Sequence, residues 1–197
     1  SENKKRLGAN AILAVSLASA RAASLSYNID LFRFLGGINA RMIPVPLMNI
    51  LNGGAHASNN LDVQEFMILP VGACCIKEGV RWCVEIYYTL KKILKERGLA
   101  TGVGDEGGFA PDLDSEIEAI DLIAEAIERA GYKPGKDVMI SLDVAASEWK
   151  SSEPGMYLLP KQKRSYSTRD LIDEWEELAD KYPVFSVEDP LDENDWT

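Results

Sequence analysis

Two carboxylates, Asp143 and Glu188, each close a short apolar run, residues 138–142 and 184–187. Runs of that length and composition read as fully buried parallel strands. In parallel α/β architectures the carboxyl ends of the strands face the ligand, so acids placed there are exposed to it instead of being lost in the core. Two hard oxygen donors from consecutive strands, with no His or Cys beside them in sequence, suit Mg2+ better than Zn2+. Strand-end acids also cap turns, and spacing alone does not separate the two roles. A second concentration of chemistry is the segment 102–109, Gly-Val-Gly-Asp-Glu-Gly-Gly-Phe, which sets Asp105 and Glu106 among four glycines. Glycine lets backbone approach a ligand closely while the acids hang over it, although such segments also serve as plain flexible turns. The spacing lacks the terminal Lys of a phosphate-cradling loop. Near a metal pair in a partly dry cleft, the pKa of Glu106 could rise enough for it to act as a general acid.

His56, the only histidine, lies in Asn52-Gly53-Gly54-Ala55-His56-Ala57-Ser58. A solitary His is more often structural than functional, whereas the glycines beside it favour an active-site loop. Gln64 and Glu65 precede an apolar run, and taken alone Glu65 reads as a solvated acid at a strand start. Lys161, Lys163 and Arg164 form a basic cluster able to meet an anionic substrate, but its simpler reading is a solvated surface loop. Nine acids and no Lys or Arg fall between Asp105 and Glu128, mostly the wet face of a helix with acids near its N-terminus.

These residues need elements to hold them. Residues 10–25 are Ala-rich and apolar on nearly every face, which predicts a buried helix. Residues 42–51 are mostly apolar, with Pro44 and Pro46 in the first half, as expected of an edge strand or a strand start; residues 66–69 form a second short run. Ile76, Val80, Cys83, Tyr87, Leu90 and Leu94 are spaced by threes and fours, predicting one helical face that stops at Gly98. Ser115 and Glu118 stand in capping-box spacing before a second helix that turns Ile117, Ile120, Ala124 and Ile127 inward and ends at Gly131. A third helix spans about 167–181, with Leu171, Trp175 and Leu178 on one side. Asp143 and Glu188 are 45 residues apart, enough for one βα unit enlarged by a loop at 151–166. The expected order is helix, strand, strand, helix, helix, strand, helix, strand.

The 197 residues carry 21 Lys and Arg against 31 Asp and Glu, a net charge of −10, and are 46% hydrophobic. That balance suits a soluble globular chain and excludes disorder, collagen and coiled coil. It also argues against a nucleic-acid or anionic-lipid partner, which requires clustered Lys and Arg. Cys74, Cys75 and Cys83 offer no disulfide framework and point to a reduced, cytoplasmic setting. The most apolar stretch, 11–20, is stopped by Arg21, short of the roughly 20 residues that a membrane span requires. The opening Ser-Glu-Asn-Lys-Lys-Arg lacks a signal-peptide pattern and an initiator Met, so the chain is expected to begin inside a longer one. The length is also short of the roughly 250 residues of a complete (β/α)8 barrel.

Six motifs occur in order: Leu7-Gly8-Ala9-Asn10-Ala11, Asn52-Gly53-Gly54-Ala55-His56, Gln64-Glu65-Phe66-Met67-Ile68-Leu69-Pro70-Val71-Gly72-Ala73, Gly104-Asp105-Glu106-Gly107-Gly108-Phe109-Ala110-Pro111, Asp143-Val144-Ala145-Ala146-Ser147-Glu148 and Glu188-Asp189-Pro190. In order and spacing the chain resembles enolase over essentially its whole length. The blocks at 64–73 and 104–111 resemble enolase proper more than other members of its superfamily.

The resemblance implies an α/β fold: an incomplete TIM-like, enolase-type barrel of order ββααβαβ, preceded by a helix from the end of an α+β N-terminal domain. Residues 1–38 would be the end of that domain and a linker, and 39–197 the first half of the barrel. The implied activity is that of a lyase, the reversible dehydration of 2-phosphoglycerate to phosphoenolpyruvate in glycolysis and gluconeogenesis, with Mg2+. Asp143 and Glu188 then resemble two of three metal ligands, Glu106 the acid that protonates the departing hydroxyl, and Glu65 the neighbour that helps orient that group. Gln64 and His56 resemble substrate contacts, His56 on a closing loop. The parent would be a cytoplasmic homodimer or larger homo-oligomer, with a secondary cell-surface presence known in the family. The third ligand and the base Lys of enolases are expected beyond this chain, and Lys150 does not replace that base. An unclosed half barrel leaves strand edges and an apolar face uncovered, so the chain alone is expected to be marginally stable or aggregating and without turnover. The alternative is a naturally truncated, non-catalytic enolase-like protein with a binding or structural role.

Overall fold

Alanine-rich and free of proline, residues Ala9–Ser26 form helix α1 in the computed structural model, which describes residues 4–196. The chain divides into two compact units, Ser1–Pro44 and Val45–Thr197. In the first, α1 is followed by a short helix α2, Leu31–Gly36, and a turn of 3-10 helix. The expected burial of α1 is not found: among its residues only Ser24 is buried, and Leu13, Val15 and Leu17 are more than half exposed. A helix apolar all round has no preferred inner side and needs partners on every face, which the single short helix beside it does not supply.

The second unit is built on a four-stranded sheet of β1 (Met48–Asn52), β2 (Glu65–Leu69), β3 (Met139–Asp143) and β6 (Val184–Glu188), in the order β1-β2-β3-β6. β1 is the edge strand that its prolines imply, and it begins only after them. β2 runs antiparallel to both neighbours, whereas β3 and β6 are parallel. The sheet does not close, so the ββααβαβ order forms an incomplete barrel. The 151–166 loop adds a hairpin, β4 (Met156–Leu158) with β5 (Ser165–Ser167). β6 departs from the expected full burial. As the other edge it leaves Phe185 63% exposed.

Three helices cover or flank the sheet. In α3, Ile76–Glu96, the buried face is Gly79, Cys83, Ile86, Leu90, Ile93 and Leu94. Ile76 and Val80, placed on that face by spacing, are about two-fifths exposed at the first turns of the helix. Gly98, at φ 72°, ends α3: its N–H donates to Lys95 O, and that of Leu99 to Leu94 O, the paired bonds of a Schellman stop. In α4, Glu116–Arg129, the Ser115 hydroxyl caps the Glu118 N–H, while the Glu118 carboxylate takes the N–H of Asp114 instead of completing the box. α5, Thr168–Lys181, carries the full box between Ser167 and Asp170. The core joins Leu51, Phe66, Ile68, Ile140 and Leu142 of the sheet to Ile86, Leu90, Ile120 and Ile123 of α3 and α4. Among the described residues no helix is long and apolar enough to cross a membrane.

Candidate active site

Strand register assembles the site. Asn52 pairs with Glu65, Glu65 with Asp143, and Asp143 with Glu188, so four polar residues form one row across the sheet. Because β2 is antiparallel to β3, its first residue stands at the end where β3 and β6 finish. Glu65 is therefore half buried in a row of acids, not the solvated strand-start residue that its position suggests in isolation.

The segment 102–109 is pinned over this row by its last residue. The Phe109 N–H donates to Ile50 O (3.0 Å) and its carbonyl accepts from Asn52 N–H (2.9 Å), extending the sheet by one bridge to Leu51. Its ring is fully buried and stacks on Tyr87 with centroids 4.3 Å apart. The Gly108 N–H donates to Asn52 Oδ1 at 3.0 Å, and a Cβ on Gly108 would fall 2.7 Å from that oxygen, so the close approach needs glycine here.

Glu106 is thereby delivered to the row. Its Oε2 accepts from Asn49 Nδ2 (3.0 Å) and Asn52 Nδ2 (3.4 Å). Its Oε1 lies 3.1 Å from His56 Nδ1, within ion-pair reach but off the line of a hydrogen bond. His56 sits in a single 3-10 turn, its carbonyl taking the Asp105 N–H at 3.1 Å. A cavity of about 300 Å3 opens between residues 56–59 and 102–105. Gln64, the other residue singled out as a substrate contact, donates from Nε2 to Asp143 Oδ2 at 3.2 Å.

The electrostatics separate the two glutamates. Burial first, then the hydrogen bond and charge of Glu106 and the charge of Asp143, push Glu65 from 4.5 to about 7. Burial also acts upward on Glu106, but the hydrogen bond from Glu65, His56 and Asn52 together hold it below the usual carboxylate range. The upward shift thus falls on Glu65 and not, as the sequence suggested, on Glu106, because Glu106 is the one held by His56 and Asn52. Asp143 is raised by burial, against the bonds it accepts from the Ala145 N–H and from Gln64. Glu188 is exposed, and its carboxylate has no hydrogen bond or ion pair among the described residues.

Asp143 and Glu188 are register neighbours on parallel strands; a second group, His56, Glu65 and Glu106, offers ligand atoms within 4.8 Å of one another. The second group mixes an imidazole with two carboxylates, one of them raised to about 7, a poorer match to a hard cation than an all-oxygen pair. Sequence reasoning missed Asn49 and Asn52 as holders of Glu106. The available signal was their presence as amides inside an otherwise apolar strand.

The carbon-13 signal of the Glu65 carboxyl, followed by NMR without added metal, is expected to titrate near 7. A folded pKa above the ordinary value means that the stability Glu65 contributes is full below about 4.5 and is lost as pH rises toward 7. Glu106→Gln, which removes the charge and can donate to Glu65, is expected to return the midpoint toward 4.5; a midpoint already near 4.5 in the unaltered chain refutes the raised Glu65.

An open α/β sheet with acids across one end and a glycine-rich acidic loop folded over them defines the class as an α/β, barrel-type protein. Residues 40–197 match the family model described as enolase, C-terminal TIM barrel domain, and the chain belongs to that family. Over 196 residues it is 54% identical to the enolase of Corynebacterium kroppenstedtii, an alignment that takes in 100% of this chain and 45% of that protein. The chain thus spans about half the length of the curated relative it matches.

Proposed function

We propose that this chain carries the acid side of an enolase site, in a parent lyase that reversibly dehydrates 2-phosphoglycerate to phosphoenolpyruvate. The observation that carries the reading is the Glu65–Glu106 pair: two carboxyls with oxygens within 4.8 Å of each other at the end of a row of metal-type acids, Glu65 being raised to about 7 so that the pair can hold one proton near neutral pH. Protonating a departing hydroxyl near neutral pH needs such a group, because an ordinary carboxyl has already lost its proton. The Asn49 and Asn52 amides orient Glu106, and Gln64 orients Asp143. His56 lies on the loop bordering the cavity, which supports its reading as a residue that contacts the ligand and excludes water.

The all-oxygen donor set of Asp143 and Glu188 fits Mg2+, and the raised Asp143, half buried with Asp189 and Glu106 nearby, marks negative charge that a cation would relieve. Bound there, Mg2+ would supply Lewis-acid stabilisation of the charge that builds on the substrate carboxylate. Residues 1–38 belong, in this reading, to the end of the N-terminal domain of a cytoplasmic, oligomeric parent.

Lys150 is paired with Asp192, and Lys161 is bound to Ala57 and Asn59 of the His56 segment, so neither ammonium is free to act as a base. The 197-residue chain alone is accordingly expected to form no phosphoenolpyruvate from 2-phosphoglycerate and Mg2+, while the enolase-length protein does. Absorbance at the enol-ester band of the product checks both. Turnover by the chain alone would overturn the half-site reading, and an enolase-length protein inert toward 2-phosphoglycerate would overturn the substrate.

A further inference from the structure

The basic cluster at 161–164 divides in the folded chain: Lys163 and Arg164 are exposed, and Lys161 is half buried. Its backbone is anchored by Asp62, 1% exposed, whose two oxygens accept the N–H groups of Lys161 (2.8 Å) and Gln162 (2.9 Å). A buried carboxylate is costly unless bonded in this way, so the turn is held whatever side chain residue 161 bears. The Lys161 side chain then does something separate. Its ammonium donates to the carbonyl of Ala57 (2.9 Å) and to Asn59 Oδ1 (3.3 Å), more than a hundred residues away. The Asn59 amide in turn donates to Asn52 O and Pro111 O, each at 2.9 Å. Consecutive carbonyls are thus held from two sides, His56 by the Asp105 N–H and Ala57 by Lys161.

We propose that Lys161 is a positioning residue for His56, tying the 159–164 turn to the His56 segment so that the two loops hold or move as one piece. For the role of His56 as a ligand contact this inference rests on the enolase reading; the tie itself does not. Burial pushes the ammonium pKa down against the charges of Asp62, Asp112 and Glu116, so keeping a cation there carries a cost that its hydrogen bonds offset.

Amide hydrogen exchange of this chain separates the tie from general support. In Lys161→Met the Asp105 amide, bonded to His56 O, is expected to exchange about tenfold faster. The Lys161-position and Gln162 amides, held by Asp62, should keep their rates, and Lys161→Arg should restore most of the Asp105 protection. Unchanged Asp105 exchange in folded Lys161→Met overturns the proposal. Should that variant not fold, the unaltered chain decides: a protected Lys161 ammonium resonance with a cross-peak to Ala57 supports the tie, and a freely exchanging one refutes it. In the enolase-length protein, Lys161→Met is expected to raise KM for 2-phosphoglycerate about tenfold, and to add almost nothing in a His56→Ala background. Full additivity refutes action through His56. An enzyme inert in all forms would instead sink the enolase reading and leave the exchange comparison to decide the tie.

Discussion

Glu106→Gln, in the enolase-length protein, is expected to lower kcat for dehydration of 2-phosphoglycerate by about 10²–10⁴-fold, the range for loss of a positioned general acid. Two effects combine. The amide cannot carry the proton that the pair holds, and by donating to Glu65 it favours ionised Glu65, whose raised pKa depends in part on Glu106. Neither position then holds a proton at neutral pH. Glu65→Gln should fall in the same range, and the double exchange should lie within about tenfold of the worse single one, because groups acting as a unit do not add. Steady-state kinetics on the four proteins is the measurement. Retention of more than a tenth of kcat in Glu106→Gln, or multiplicative losses in the double variant, would show that the two glutamates do not share the task.

Phe109→Ala, in the enolase-length protein, is expected to destabilise the fold by about 3–5 kcal/mol, the range for removing a large aromatic side chain from a packed core. The ring is fully buried against Tyr87 and the sheet core, and its loss leaves a cavity that the strand backbone cannot collapse to fill. Urea denaturation gives the number. Tyr88→Ala, at a side chain 63% exposed, is the comparison, expected within about 0.5 kcal/mol of the unaltered protein. Because Phe109 also fastens the 102–109 segment, its loss should free Glu106 and bring the Glu65 midpoint down. A cost below about 1 kcal/mol, with the Glu65 titration unmoved, would mean that the loop is held by its backbone bonds alone.

Much of the fold was legible locally. The spacing in 76–94, the Ser115 cap, the start of a helix near Ser167 and the glycines at 98 and 131 act over a few residues, and the structure has helices and stops at those places. The acidic ends of β3 and β6 and their parallel pairing followed from apolar run length and the helix between them. The candidate site was legible as types of residue, carboxylates at strand ends and in a glycine-rich loop, and by the resemblance of six motifs to a family. Its assembly was not.

Glu65 reads as a solvated acid until β2 is seen to run antiparallel, which a five-residue apolar run does not reveal. Lys161 reads as a surface lysine until Asp62, 99 residues earlier, anchors its turn. The α1 helix reads as buried because apolar content shows a need for partners without saying whether any are beside it. Caps, faces and strand runs were settled by the sequence itself because their energies come from neighbours within about one helical turn or one strand. The antiparallel direction of β2, the raised Glu65 beside Glu106, and the Lys161 tie belong to the tertiary structure alone, because desolvation and hydrogen bonding act between groups that only long-range packing brings together.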